Sequence, residues 1–269
     1  MVMSIITILS DFGLRDEYAG VIKGVILSIC PSASIVDITH QIDPQDIAGA
    51  AYLIPSFYRF FPQGTVHLIV VDPGVGSNRD ILAVNCSGHV FVAPDNGVLS
   101  LLMSREESDM IVRVNNADYF LKPVSKTFHG RDIFAPVGAY IINGAALADL
   151  GTQIKREDMI HLKDLNCRLS EAGELLGKII AIDRFGNLTT NIDSNALAAL
   201  CRSESKKRLK IRLCTHEISG LSDCYSNTEL NAPLALIGSR NYLEIAVNCG
   251  SAAKYFKAQK GDSVKVAIL

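Results

Sequence analysis

Through roughly its first 150 residues the chain alternates short β-branched runs with longer helix-patterned stretches, and after about Asp164 that alternation stops. Strand-like runs fall at Ile5 to Leu9, Ser34 to Ile38 and Thr65 to Val71, separated by helical patterns over about Asp16 to Cys30 and Pro44 to Tyr58. Parallel neighbours need a crossover between them, so strands alternating with helices predict a largely parallel sheet covered by helices. A hairpin is expected over Ile81 to Cys86 and His89 to Ala93 around Ser87-Gly88, and a helix over Ile133 to Asn143. The first region therefore reads as α/β with antiparallel additions.

Beyond it come short β-rich segments with frequent turns: Gly177 to Ile182, Leu188 to Ile192, Leu209 to Cys214, Leu234 to Ile237, Tyr242 to Val247 and Val264 to Leu269. Only Ser194 to Arg202 and Ser251 to Gln259 look helical. Strands at this spacing close into a small barrel or sandwich. A boundary is placed between 165 and 175.

With 48% apolar residues, 20% charged residues and a formal charge of -2, the chain has the make-up of a well-buried globule without a broad basic surface. That gives a nucleic-acid or anionic-membrane partner no electrostatic support and favours a small molecule. The seven cysteines are scattered and form no C-x-x-C pair, which points to a reduced compartment. No apolar run approaches the roughly 20 residues of a membrane span, and no basic leader precedes the first strand. The expected location is cytoplasmic.

Four stretches carry polar groups where ligands bind. Asp11, in Ser10-Asp11-Phe12-Gly13, stands at the carboxyl end of the first strand, the edge at which open α/β sheets hold ligands. In Val71-Asp72-Pro73-Gly74-Val75-Gly76-Ser77-Asn78-Arg79 a buried strand runs into Asp72, and Pro73 with two glycines turns the chain so that Arg79 can fold back on the aspartate. The plain alternative is a Pro-Gly turn with a local ion pair. His129, in Phe128-His129-Gly130-Arg131-Asp132, sits at the mouth of a helix and is the best candidate for acid-base work among six histidines. In Asp183-Arg184-Phe185-Gly186-Asn187, an aromatic beside an amide could stack on and hydrogen-bond a purine. Asp95-Asn96-Gly97 is read first as a turn.

Seven runs, SDFGLRDEYAGVIKG, VDITHQIDP, FPQGTVHLIVVDPGVGSNR, APDNG, FHGRDIFAP, DRFGNLTTNI and GSRNYLEIAVNCGSAA, closely resemble in order and spacing the S-adenosyl-L-methionine hydroxide adenosyltransferases, the water-using relatives of the fluorinases and chlorinases. The resemblance spans nearly the whole chain. It implies an amino-terminal α/β/α sheet domain, here 1–168, and a carboxy-terminal β-barrel domain, here 169–269. It further implies a homotrimer with sites at subunit interfaces, and hydrolysis of S-adenosylmethionine to adenosine and methionine by attack of water on ribose C5′. Carried over by position, the catalytic triad becomes Asp72, Arg79 and His129. Asp11 becomes the ribose ligand, and Phe185 and Asn187 the adenine contacts. Asp16, Asp183, Ser239 and Arg240 become candidates for the methionine amino and carboxylate groups. One departure is Asp80, where many members carry a second arginine.

The chemistry agrees with these residue types. A sulfonium is already an activated leaving group, so neither a metal nor another cofactor is expected, and the weak partner is water. A carboxylate and an imidazole can orient and deprotonate it while an arginine holds the carboxylate ionised. Two other readings stay open on sequence. A metal-dependent phosphohydrolase would use Asp11, Asp37, His40, Asp72, Asp95 and His129, without any H-x-H or H-E-x-x-H spacing to support it. A non-catalytic binder of adenosine or S-adenosylmethionine would leave the intact triad unexplained.

Overall fold

The structure is a computed structural model that describes residues 4–201 and 209–268. Arg202 and Leu269, the expected ends of one helix and one strand, lie outside the described residues. The chain divides into two compact units, Met1–Lys163 and Asp164–Leu269.

The first unit contains β1 (Ile5–Ser10), α1 (Tyr18–Ile29), β2 (Ser34–Thr39), α2 (Ile47–Leu53), β3 (Val66–Val70), β4 (Ile81–Cys86), β5 (His89–Pro94), α3 (Ser100–Arg105), β6 (Ser108–Val114), α4 (Ala135–Ile142) and β7 (Gly151–Gln153). Its sheet has the order β2-β1-β3-β5-β4-β6-β7. The four strands β2, β1, β3 and β5 run parallel, and β4, β6 and β7 extend the sheet antiparallel. The expected helix over Pro44 to Tyr58 is shorter: Asp46 caps it by accepting from Gly49 N–H at 3.0 Å, and it tightens into a 3-10 turn at Ile54–Ser56, where Pro55 stands at the start. Sequence periodicity did not reveal α3, β6 or β7, because α3 and β7 are too short to show a period.

Two features of this unit set up the ligand edge. β1 and β3 are adjacent and parallel with Ser10 opposite Val70, so Asp11 and Asp72 leave neighbouring strands at the same carboxyl edge. Above β3 lies α4, preceded by a π-helical turn, Gly130–Phe134, that begins directly after His129. At Gly138 a Cβ would come within 2.7 Å of Leu68 Cδ2, so the absence of a side chain lets α4 settle directly on β3. Ile8, Leu68, Val92, Phe134 and Val137 are buried together between sheet and helices, each side chain contributing about 1.5–3 kcal/mol.

The second unit contains β8 (Arg168–Leu169), β9 (Leu175–Ile182), β10 (Leu188–Asp193), α5 (Ser194–Cys201), β11 (Leu209–Leu213), β12 (His216–Ser219), β13 (Pro233–Ile237), β14 (Tyr242–Val247), α6 (Ala252–Phe256) and β15 (Ser263–Ile268). Its strands pair antiparallel in the order β12-β11-β15-β9-β10-β14-β13, with β8 also on β9, and form a nearly closed barrel. Alternate residues fill it: Leu175, Ile179, Ile211, Leu243, Ile245, Val264 and Val266 are buried in one cluster.

Candidate active site

The turn after β3 is built to return Arg79 to Asp72. Val75 N–H donates to Asp72 O at 3.2 Å and Ser77 N–H to Gly74 O at 3.1 Å, while Ser77 Oγ also donates to Gly74 O. Gly76 has φ +77°, and a Cβ there would come within 2.2 Å of the Lys126 carbonyl oxygen. Glycine at this position therefore lets the Asp72 turn lie against the segment that leads to His129.

Arg79 then joins the other two residues. Its Nε donates to Asp72 Oδ1 at 2.8 Å and its Nη2 to Asp72 Oδ2, and Nη2 also reaches His129 Nδ1 at 2.8 Å. The Arg79 and Asp72 side chains are only 9% and 6% exposed, so this pair is desolvated and held by a bidentate fork. A guanidinium only donates, so His129 Nδ1 must accept, and the proton of the neutral ring belongs on Nε2. Burial and the positive charge of Arg79 push the His129 pKa below its ordinary value, against the opposing pull of Asp72 and Asp132. The three residues expected to act together are thus in direct contact.

Asp11 lies on a second braced turn. Gln45 N–H donates to its Oδ2 at 2.8 Å, with Gln45 in the left-handed region at φ +66°. Beneath it, Ser10 Oγ meets His40 Nδ1 at 2.7 Å, and the His40 carbonyl accepts from Gly13 N–H at 2.7 Å. His40 Nε2 lies 3.1 Å from Asp37 Oδ1, an ion-pair distance outside hydrogen-bond geometry. Phe128 meets Phe12 and Tyr18 edge to face, and Phe12 and Tyr18 lie tilted against each other, with centroids 5.0–6.0 Å apart, which ties the Asp11 turn to the His129 segment. Asp16 is exposed.

In the second unit, Asp183 organises the turn between β9 and β10. Its Oδ1 accepts from the Phe185 and Asn187 N–H groups at 2.9 Å, and its Oδ2 accepts from Asn187 Nδ2 at 3.0 Å. Asn187 is nearly buried, whereas Phe185 stands 76% exposed, a large apolar face offered outward. Ser239 and Arg240 are exposed in the turn between β13 and β14. Because β10 and β14 run antiparallel with Leu188 opposite Ile245 and Asp193 opposite Tyr242, the two turns lie at opposite ends of that ladder, roughly 15 Å apart. The structure does not bring Asp183 into contact with Ser239 or Arg240.

Among the described residues no group of three or more His, Cys, Asp and Glu side chains is arranged to hold a metal ion. Asp95, one ligand in the phosphohydrolase reading, has its Oδ1 engaged by Ile160 N–H at 2.9 Å.

A family model described as the SAM hydroxide adenosyltransferase N-terminal domain matches residues 6–151, and its C-terminal counterpart matches residues 177–265. The chain belongs to the SAM hydroxide adenosyltransferase family. The first match contains Asp11, Asp16, Asp72, Arg79 and His129, and the second contains Asp183, Phe185, Asn187, Ser239 and Arg240. This SAM hydroxide adenosyltransferase family member is 33% identical to the (R)-S-adenosyl-L-methionine hydrolase of Thermus thermophilus, with 96% of this chain and 97% of that one covered. It is 26% identical to the fluorinase of Actinopolyspora mzabensis, over 97% of this chain and 96% of the other. Among solved structures, an uncharacterized conserved protein from Thermotoga maritima is similar with a TM-score of 0.89 and 33% identity, over 97% of this chain and 99% of that one.

Within this member of the family, Asp80 pairs with Arg113, Nε to Oδ2 at 2.7 Å. Its extra negative charge is therefore compensated on the sheet. Sequence reading overlooked Asp132, which is fully buried and accepts from Ser125 N–H at 2.7 Å and from Arg131, fixing the loop beside His129. The charged Arg131-Asp132 pair at the start of an apolar helix was the available signal.

Proposed function

We propose that this chain hydrolyses S-adenosyl-L-methionine to adenosine and L-methionine by in-line attack of water on ribose C5′. The observation that carries this reading is the desolvated Asp72–Arg79–His129 assembly at the carboxyl edge of the parallel strands. The attacking oxygen forms the C5′–O bond as the C5′–S bond breaks, the electron pair moves to sulfur to give the neutral thioether of methionine, and one proton is released. A sulfonium needs no acid or metal to leave, so the protein's task is to hold one water in line with the C5′–S bond, about 3–3.5 Å from carbon.

His129 suits that task as a donor from Nε2–H to the water oxygen. Asp72 retains lone pairs beyond those taken by Arg79 and is the proton acceptor. Arg79 balances the charge of the desolvated carboxylate and holds the imidazole in one tautomer. The carboxylate would repel fluoride or chloride, which disfavours halide chemistry despite the fluorinase relatives.

By the same reading Asp11 holds the ribose hydroxyls, Phe185 stacks on adenine, and Asn187 Oδ1 accepts from it. Asp16, Ser239 and Arg240 are assigned the methionine end, while Asp183, bonded within its own turn, holds Phe185 and Asn187 in place instead. The wide spacing of the β9–β10 and β13–β14 turns suits an extended ligand. The name (R)-S-adenosyl-L-methionine hydrolase carried by relatives supports that epimer as the substrate. A cytoplasmic homotrimer with sites completed between subunits belongs to the proposal.

Purified protein incubated with S-adenosylmethionine and chelator, followed by chromatography, tests it. Adenosine plus methionine is expected. Methylthioadenosine, or no product from either sulfonium epimer, would contradict it.

A further inference from the structure

We propose that the outer face of β8, β9 and β15 is a binding site for a compact anion carrying two or more phosphate groups. Strand register brings the site together. Leu176 pairs with Arg168 on one side and with Lys265 on the other, and Lys178 pairs with Ser263. Directly opposed residues share a face, and so do residues two apart, so Arg168, Lys178, Ser263 and Lys265 all emerge on the side away from buried Leu175, Val264 and Val266. With strands about 4.8 Å apart, the three cations rise from backbone positions within roughly 10 Å of one another.

On this face the neighbouring cations are already satisfied. Arg212, opposite Lys265, pairs with Glu217 at 2.9 Å and lies 3.6 Å from Glu174, and Lys210 pairs with Glu217 at 2.8 Å. Among the described residues Arg168, Lys178 and Lys265 have no carboxylate partner. Three like charges on adjacent strands repel one another, and a multivalent anion would relieve that repulsion. A chain with net charge -2 has no general excess of cations to scatter there.

The face is also concave. A cleft of about 620 Å³ is lined by these three side chains with Asn166, Ser263 and Asp164, the last being the one carboxylate of its lining. Its wall is rigid: buried Asn191 accepts from Lys178 N–H at 2.8 Å and donates to Leu165 O at 3.1 Å, riveting the 165–166 segment to β9. Glycine at 177 permits this packing, since a Cβ would come within 2.4 Å of Ile192 Cγ1. Leu176 offers the one apolar side chain on this face, Val264 being turned into the core, so the cleft has charge for phosphates and no platform for a base.

Isothermal titration of the full chain at low salt, with inorganic tripolyphosphate as the probe, tests the site. Binding is expected, weakened about tenfold for each cation removed in Lys178→Ala, Lys265→Ala and Arg168→Ala, and retained in Lys178→Arg. ATP is expected to bind no more tightly than tripolyphosphate. Turnover of S-adenosylmethionine serves as the folding control and is expected to be unchanged in all four variants. Absence of binding at millimolar tripolyphosphate, binding untouched by the alanine variants, or equally tight binding of citrate would overturn the proposal.

Discussion

Arg79 donates to His129 Nδ1 at 2.8 Å, and that single bond decides what each member of the triad can do. A histidine whose Nδ1 accepts carries its proton on Nε2 and approaches water as a donor. The same guanidinium forks onto Asp72, whose remaining lone pairs make this carboxylate the group assigned to take the proton of water. The division of labour follows from one cation shared between two partners.

Asp72→Asn keeps the shape of the turn and removes the acceptor. Turnover is expected to fall about 10²- to 10⁴-fold, with binding of S-adenosylmethionine largely retained. Single-turnover kinetics alongside equilibrium binding checks this, and loss of binding with normal turnover of the bound complex would contradict it.

Burial and Arg79 hold the His129 pKa below 6.5, so the ring stays neutral as pH falls through that value. Activity is expected to persist at pH 6.5 and to decline only below it, as the folded-state ring takes up a proton and loses its acceptor nitrogen. NMR titration of His129 measures the midpoint directly. In Arg79→Gln the midpoint should rise, because the cation that opposes protonation is gone while Asp72 and Asp132 remain.

Gly76→Ala places a Cβ 2.2 Å from the Lys126 carbonyl at φ +77°. Stability should fall by about 1–3 kcal/mol, with turnover reduced at least tenfold as the Asp72 turn moves from His129. Gly64→Ala is the control: its φ is +84° but nothing lies within 4 Å of the added carbon. Denaturant unfolding and kinetics of both variants should show strain in each and lost activity only in the first.

Far from the ligand edge, His67 and His89 meet at 3.2 Å in the core, with Thr7 on His67 and Phe91 stacked 4.8 Å away. Burial, reinforced by His89, pulls the His67 pKa down to about 3. The unfolded chain therefore binds this proton from about pH 6.5 downward while the folded chain does not. The stabilisation is complete above pH 6.5 and is lost as pH falls, on the order of 4–5 kcal/mol by pH 3. Urea unfolding between pH 7 and 4 should show the slope, and His67→Phe should flatten it.

Much of this was legible in the sequence because it is local. Period-two and helical patterns placed β1, β3, the β4–β5 hairpin and α4, and Asp72 and Arg79 belong to one short turn. Apart from Pro55, what escaped depends on contacts between distant segments. The expected Pro44 to Tyr58 helix is interrupted where Pro55 tightens it. The tautomer of His129 depends on a bond from Arg79, and the separation of Ser239 and Arg240 from Asp183 depends on the direction of the β10–β14 pairing. Arg168, Lys178 and Lys265 look unrelated along the chain, and only register across β8, β9 and β15 puts them on one face.

The central claim is that a water held by Asp72 and His129 attacks ribose C5′. Turnover of S-adenosylmethionine in ¹⁸O-labelled water, with mass spectrometry of both products, tests it most directly. The account predicts one labelled oxygen in adenosine at the 5′ position, none in methionine, and a rate unaffected by chelator. Unlabelled adenosine, or activity that vanishes with chelator and returns with a divalent ion, would contradict it.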